Sequence, residues 1–141
     1  LWNSKLDAYF LEKYGSDSQK NRFVNVLSDG EPINSLELNR VFILTTSESA
    51  SASELLINGL APLIEVIHIG EQTVGKNVGS ITVYDYIDND GTRNPDHRYA
   101  MQPIVLKIAN SEGFADYADG LEPSTLIEED LQNMGTLGDK N

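Results

Sequence analysis

Between Arg40 and Gly70 the hydrophobic pattern changes period twice, and no other feature constrains the fold as much. "RVFILTT", Arg40 to Thr46, is a short apolar run rich in β-branched residues and reads as a buried strand. Ser47 to Ser51 make a tight connection. From Ser53 onward, Leu55, Leu56, Gly59, Leu60, Leu63 and Ile64 recur at helical spacing, with Pro62 straining the last turn. "EVIHIG", Glu65 to Gly70, is the next strand. Strand, helix and strand in this order predict a βαβ unit with a parallel sheet, so the expected fold class is α/β.

The flanking segments are read the same way. Residues 1–14, "LWNSKLDAYFLEKY", place Leu1, Trp2, Leu6, Tyr9, Phe10 and Tyr14 at near-helical spacing, and Gly15 with "SDSQKN" ends that helix. "RFVNVL" is a short strand candidate and "SDGEP" a turn. Gly70 to Ser80, "GEQTVGKNVGS", is a glycine-bearing loop. "SITVYDYI" alternates with period two and reads as a strand, and "DNDG" after it is a hairpin turn. "MQPIVLKIA" is a further strand. From Ser111 the chain is acidic and turn-rich, with "PSTLIEEDLQNM" a short helix candidate. There is no internal repeat.

Composition limits the function classes. A chain of 141 residues with 40% hydrophobic and 23% charged residues suits one soluble domain with a real core. No apolar run approaches the roughly 18 residues of a membrane span. The net charge is −12 and the basic residues are scattered, which argues against nucleic acid as a partner. The chain has no cysteine, which removes thiol catalysis and thiolate metal sites.

The stretch "TTSESASASELLINGL", Thr45 to Leu60, carries the chemistry. Four serines run into a helix start, and a serine becomes a nucleophile only with a base beside it. His68 lies within a strand and reads as a packed or edge histidine. His97, in "RNPDHRY", lies next to a turn and reads as solvated. Lys76 stands alone between Lys20 and Lys107, in a glycine-bearing loop flanked by Val74 and Val78. That setting fits a buried amine, and a lysine must be neutral to take a proton. The N–H of Ala52, directly after Ser51 at the helix start, is a natural oxyanion donor. The same residues also have a structural use: Ser51-Ala-Ser-Glu54 matches a capping box, the commoner meaning of this spacing.

Taken together, "VFILTTSESASASELLINGL" and "IHIGEQTVGKNVGS" resemble the C-terminal processing peptidases, or tail-specific proteases. The family pattern is a strand, Ser-Ala-Ser-Ala-Ser-Glu opening a helix, then a strand ending in Gly-Glu-x-Thr-x-Gly-Lys. Here the first motif is Ser49 to Glu54 and the second Gly70 to Lys76. The resemblance covers roughly residues 39–120. It implies a Ser51–Lys76 dyad, Ala52 as an oxyanion donor and a spiral α/β core like that of Clp-type proteases and crotonases. It also implies cleavage of protein or peptide substrates near their C-termini, no cofactor or metal, and a cell-envelope or periplasmic setting typical of Bacteroidetes-type members. Many members carry a glutamine four residues after the lysine; here that position is Ser80, so Ser80 is the residue in a supporting position. The family's glycine-rich oxyanion strand and PDZ domain have no counterpart before Ser47. The chain is therefore expected to be a C-terminal portion of a catalytic domain, residues 1–141, and inactive alone.

Three rival readings come from the residues. Gly70-x4-Gly75-Lys76 fits part of a phosphate-binding loop, but Asn77 replaces the Ser or Thr that holds magnesium and a strand follows where a helix belongs. "DYIDNDGTRNPDH" partly fits a calcium loop, though Tyr86 and His97 occupy ligand positions and a hairpin explains it better. The third is a non-catalytic binding or scaffold role on the same fold.

Overall fold

The computed structural model describes residues 4–15, 20–128, 130, 132 and 135. Leu1 and Trp2 of the first predicted helix lie outside the described residues. The chain divides into two compact units, Leu38–Asn77 with Asn110–Asn141, and Leu1–Glu37 with Val78–Ala109.

The first unit is built on the predicted βαβ run. Strand β1 (Arg40–Thr45), helix α2 (Ala52–Leu60) and strand β2 (Glu65–Gly70) follow in order, and helix α1 (Ser4–Tyr14) precedes them in the chain. β1 pairs with β2 in parallel, in register from Arg40 opposite Glu65 to Thr45 opposite Gly70. The class is α/β, with a parallel sheet as the period switch requires. α2 ends at Leu60, where the Ala61 N–H donates to Ile57 O at 3.1 Å. The sequence reading ran the helix to Ile64. Pro62 shortens it, because proline cannot donate and its ring collides with the preceding turn.

Two further expectations fail here. "PSTLIEEDLQNM" was expected to be helical, but Thr125–Leu126 forms strand β7, parallel to β2, giving the sheet order β1-β2-β7. Backbone pairing to the end of β2 overrides a weak local helical pattern. β1 was expected to be buried. It is a sheet edge instead, with Phe42 58% and Leu44 77% exposed. Nor is the predicted apolar core present at the expected size among the described residues. The buried apolar side chains are Ile57, Val105, Ala115 and Tyr117, whereas Thr45, Glu54, Asn58, His68, Thr73 and Asn77 are buried polar ones. The interior of this unit is largely a hydrogen-bond network, and such a network must be satisfied to be stable.

The second unit holds short antiparallel pairs. Strand β3 (Val78–Ser80) pairs with β6 (Ile104–Lys107), and β4 (Val83–Tyr84) with β5 (Ala100–Met101). "SITVYDYI" is thus only partly a strand, and "MQPIVLKIA" splits in two at Gln102-Pro103, since Pro103 has no N–H to give a ladder. "DNDG" is the predicted hairpin turn: Tyr86 bridges Arg93, and the Ile87 N–H donates to Thr92 O at 3.0 Å. "RFVNVL" is not a strand. Only Val26 bridges Pro32 across the "SDGEP" turn, and Phe23 and Val24 stay exposed with no sheet to cover them.

Candidate active site

The serine-rich connection and the lysine loop both belong to the βαβ unit, and direct hydrogen bonds lace them together. The Ser47 N–H donates to Glu71 Oε2 at 2.8 Å, and the Val74 N–H donates to Ser49 O at 2.9 Å. Ser49 has a local task, its Oγ accepting the Thr46 N–H at 3.1 Å. Ser51 differs from its neighbours. It is the N-cap of α2 and sits at φ 57°, ψ −104°, a backbone region that non-glycine residues rarely occupy. Such strain costs on the order of 1–3 kcal/mol and persists only where the surroundings over-determine it.

Glu54 supplies that over-determination. Its side chain is fully buried, 0% exposed, one turn into the helix. Oε2 accepts the Ser51 N–H at 2.8 Å and the Lys76 N–H at 2.9 Å. Oε1 accepts the Thr73 hydroxyl at 2.7 Å and the Gly75 N–H at 2.5 Å. Burial alone would push this carboxyl up. The Thr73 hydroxyl and the N–H groups of Gly75, Ser51 and Lys76 outweigh burial and hold it below its ordinary value of 4.5. The carboxylate therefore stays ionised, with four donors on its two oxygens.

Two consequences follow for the serine. Ser51 and Glu54 stand in the reciprocal arrangement of a capping box, as the spacing predicts. Both halves are present: Glu54 Oε2 accepts the Ser51 N–H, and the Ser51 side chain faces the Glu54 N–H. And because one oxygen of Glu54 holds both N–H groups, the backbones of Ser51 and Lys76 lie within two hydrogen-bond lengths of each other. Sequence reasoning treated Glu54 as a cap alone. Its reach to Thr73, Gly75 and Lys76 is a contact across some twenty residues that local spacing does not encode.

The loop bearing Lys76 is clamped from its other side. The Thr73 hydroxyl accepts the Leu121 N–H at 2.8 Å, and Asn77 Nδ2 donates to Ala115 O at 2.8 Å. Gly75, at φ 92°, is packed so closely on the carbonyl of Ala118 that a Cβ would collide with it. Thr73, Gly75 and Asn77 face inward, while Val74 and Lys76 face outward. The expected buried amine is therefore not seen: the Lys76 side chain is exposed. The extended loop alternates its residues, and its polar and glycine positions take the interior.

The other predicted positions are plainly placed. Ala52 is the first residue of α2, so its N–H has no intrahelical acceptor. Ser80 ends β3 in the other unit, exposed, and its Oγ accepts Gln102 Nε2 at 3.1 Å. His68 is a packed histidine as expected, 4% exposed, with Nε2 2.6 Å from Thr45 Oγ1 and Nδ1 3.1 Å from Glu122 O. His97 is half-buried, 3.3 Å from Asp85. The phosphate-loop reading fails on geometry: β3 follows the loop, and the N–H groups of Gly75 and Lys76 are already held by Glu54. The calcium reading fails too, since Asp88 Oδ1 accepts the N–H groups of Asp90 and Thr92 in its own turn. Among the described residues no group of three or more acidic or histidine side chains is placed to hold a metal.

The chain is similar to a putative S41 protease from Bacteroides fragilis, with a TM-score of 0.54 and 30% identity, over 71% of this chain and 23% of that one. The chain thus spans about a quarter of its neighbour's length. No family model and no curated protein matches it.

Proposed function

We propose that this chain carries the serine and lysine of an S41-type serine endopeptidase, with Ser51 as nucleophile, Lys76 as base and the Ala52 N–H as one oxyanion donor. The observation that carries this reading is the shared oxygen of Glu54, which draws the backbones of Ser51 and Lys76 together at a strained helix start. The likeness to a putative S41 protease agrees with the two motifs. The sheet of β1, β2 and β7 is then part of a spiral core of the Clp and crotonase kind. A Bacteroides neighbour fits a cell-envelope setting, and no described helix is long and apolar enough to cross a membrane.

In this mechanism the neutral Lys76 amine takes the Ser51 Oγ proton as Oγ attacks the scissile carbonyl of a protein substrate, near its C-terminus. The tetrahedral oxyanion faces the Ala52 N–H at the positive end of α2. Collapse expels the amine, protonated by Lys76, and leaves an acyl-enzyme. A water deprotonated by Lys76 then releases the new C-terminus. A lysine works as a base only when neutral, and burial favours that form. With Lys76 exposed, the chain alone is expected to be inactive and to gain activity where substrate or further protein covers the amine; a PDZ domain in the full-length protein would deliver substrate.

The exposure of Lys76 also favours a second reading, a binding or scaffold role on the same fold. Proteolysis of an unfolded, tail-bearing substrate separates the two. The assay uses the longest natural polypeptide that contains this chain, beside its Ser51→Ala and Lys76→Ala variants. Activity lost in both variants, with folding intact, supports the peptidase. Equal activity in all three removes Ser51 and Lys76 as the catalytic pair, and none in any supports the scaffold.

A further inference from the structure

The hairpin unit holds a cavity that the peptidase reading does not use. It measures about 290 Å³ and is formed by the strand end at Tyr84 and Asp85 and the loop from Arg93 to Tyr99. That volume is at the small end for ligand sites, about right for one amino-acid residue. Its lining is unusual for a chain of net charge −12, since Arg93, Arg98 and His97 all contribute to it.

The single acid in the lining is already occupied. Asp85 Oδ2 accepts Asn94 Nδ2 at 2.7 Å and lies 3.3 Å from His97 Nε2. The Asn94 bond, then that of His97, holds the Asp85 carboxyl below its usual range. Arg93 is fixed as well. Its guanidinium lies 3.6 Å from the centre of the Tyr84 ring, and its backbone bridges Tyr86 across the hairpin. Arg98 is different: it is exposed and makes no ion pair or hydrogen bond with any described residue. Tyr99 beside it is 83% exposed, its ring 5.6 Å from that of His97. The cavity thus combines a guanidinium that bonds to no described residue, whose fork suits a carboxylate, with the exposed ring of Tyr99, which suits an apolar or aromatic body.

We propose that this cavity binds a small carboxylate bearing an aromatic or apolar body, supplied either as a free acid or as the last residue of a polypeptide. The inference rests on the hairpin alone and stands apart from the Ser51 chemistry. The test titrates the isotope-labelled chain with N-acetylphenylalanine, with its C-terminal amide and with an acetylated pentapeptide ending in phenylalanine, following backbone amide signals.

The acid is expected to shift signals of residues 84–99 with a Kd of about 1 mM or below, and the uncharged amide to bind about tenfold more weakly. Arg98→Gln, at an exposed position, should keep the fold and lose affinity for the acid by about the same factor. A pentapeptide that binds more tightly than the single residue assigns the site to chain termini, and equal binding assigns it to free acids. Acid and amide binding alike, an unaltered Arg98→Gln variant, or shifts confined to other residues would overturn the proposal.

Discussion

Glu54 and Asp88 perform the same act in two parts of the molecule. Each carboxylate folds a loop by accepting backbone N–H groups, and each has its carboxyl held below the ordinary value by a threonine hydroxyl, Thr73 for Glu54 and Thr92 for Asp88, together with those N–H groups. Asp88 gathers donors two and four residues away, from Asp90 and Thr92, in an exposed turn. Glu54 gathers Ser51 from its own turn but also Thr73, Gly75 and Lys76, from across a helix and a strand, and it is fully buried. In water, a lost carboxylate–amide bond is replaced by hydration. In the interior nothing replaces it, and each orphaned donor pays its own desolvation. The same chemistry is thus decorative in one place and structural in the other.

The largest expected effect is Glu54→Ala. Two buried donors, the Thr73 hydroxyl and the Gly75 N–H, and two part-buried ones lose their acceptor, and denaturant unfolding should show a loss of about 4 kcal/mol. Any activity should vanish with it. A loss as small as that of an ordinary helix cap, about 1 kcal/mol, would show that water replaces the carboxylate and would erase the contrast.

Gly75→Ala comes next. The residue would need a left-handed φ, and its new Cβ would meet the Ala118 carbonyl, which is backbone and cannot turn aside. A cost of about 3 kcal/mol is expected, by unfolding measurements. Because Gly75 adjoins Lys76, the displacement should appear in amide signals of both residues.

Thr73→Val keeps the shape and removes two hydroxyl bonds, the one given to Glu54 and the one taken from the Leu121 N–H, for about 2 kcal/mol at neutral pH. Here the comparison sharpens through pH. Glu54 has a depressed folded value, so its contribution is present above 4.5 and is lost as pH falls through that lower value. The stability gap between wild type and Thr73→Val should therefore narrow in acid. A gap that stays constant would mean that the hydroxyl acts through the Leu121 N–H or through packing and not through the carboxylate.

The contrast also explains what was legible in the sequence. The DNDG hairpin and the βαβ run are local, so period and turn chemistry revealed them. The Ser51–Glu54 spacing revealed the cap for the same reason. The hub did not show, because nothing in Thr73, Gly75 or Lys76 announces an acceptor some twenty positions earlier; only the family motifs place the two stretches together. Lys76 was misread as buried because Val74 and Val78 flank it, yet alternation along the loop sends Val74 and Lys76 outward and Thr73, Gly75 and Asn77 inward. The strand at Thr125–Leu126 was hidden likewise, since its reason for being a strand is the end of β2 and not its own residues.

The smallest expected effect is the one that tests the comparison most directly. Asp88→Ala removes a carboxylate that accepts two backbone N–H groups, as Glu54 does, and leaves Asp90 and Thr92 without their acceptor. Both amides are exposed and can bond to water at once. The Tyr86–Arg93 bridge and the Ile87–Thr92 hydrogen bond still close the hairpin. The unfolding midpoint should therefore not move measurably, while hydrogen exchange at the Asp90 and Thr92 amides should quicken. If Asp88→Ala instead lowers the midpoint as far as Glu54→Ala does, the number of accepted bonds and not their burial sets the cost, and the buried hub loses its special standing.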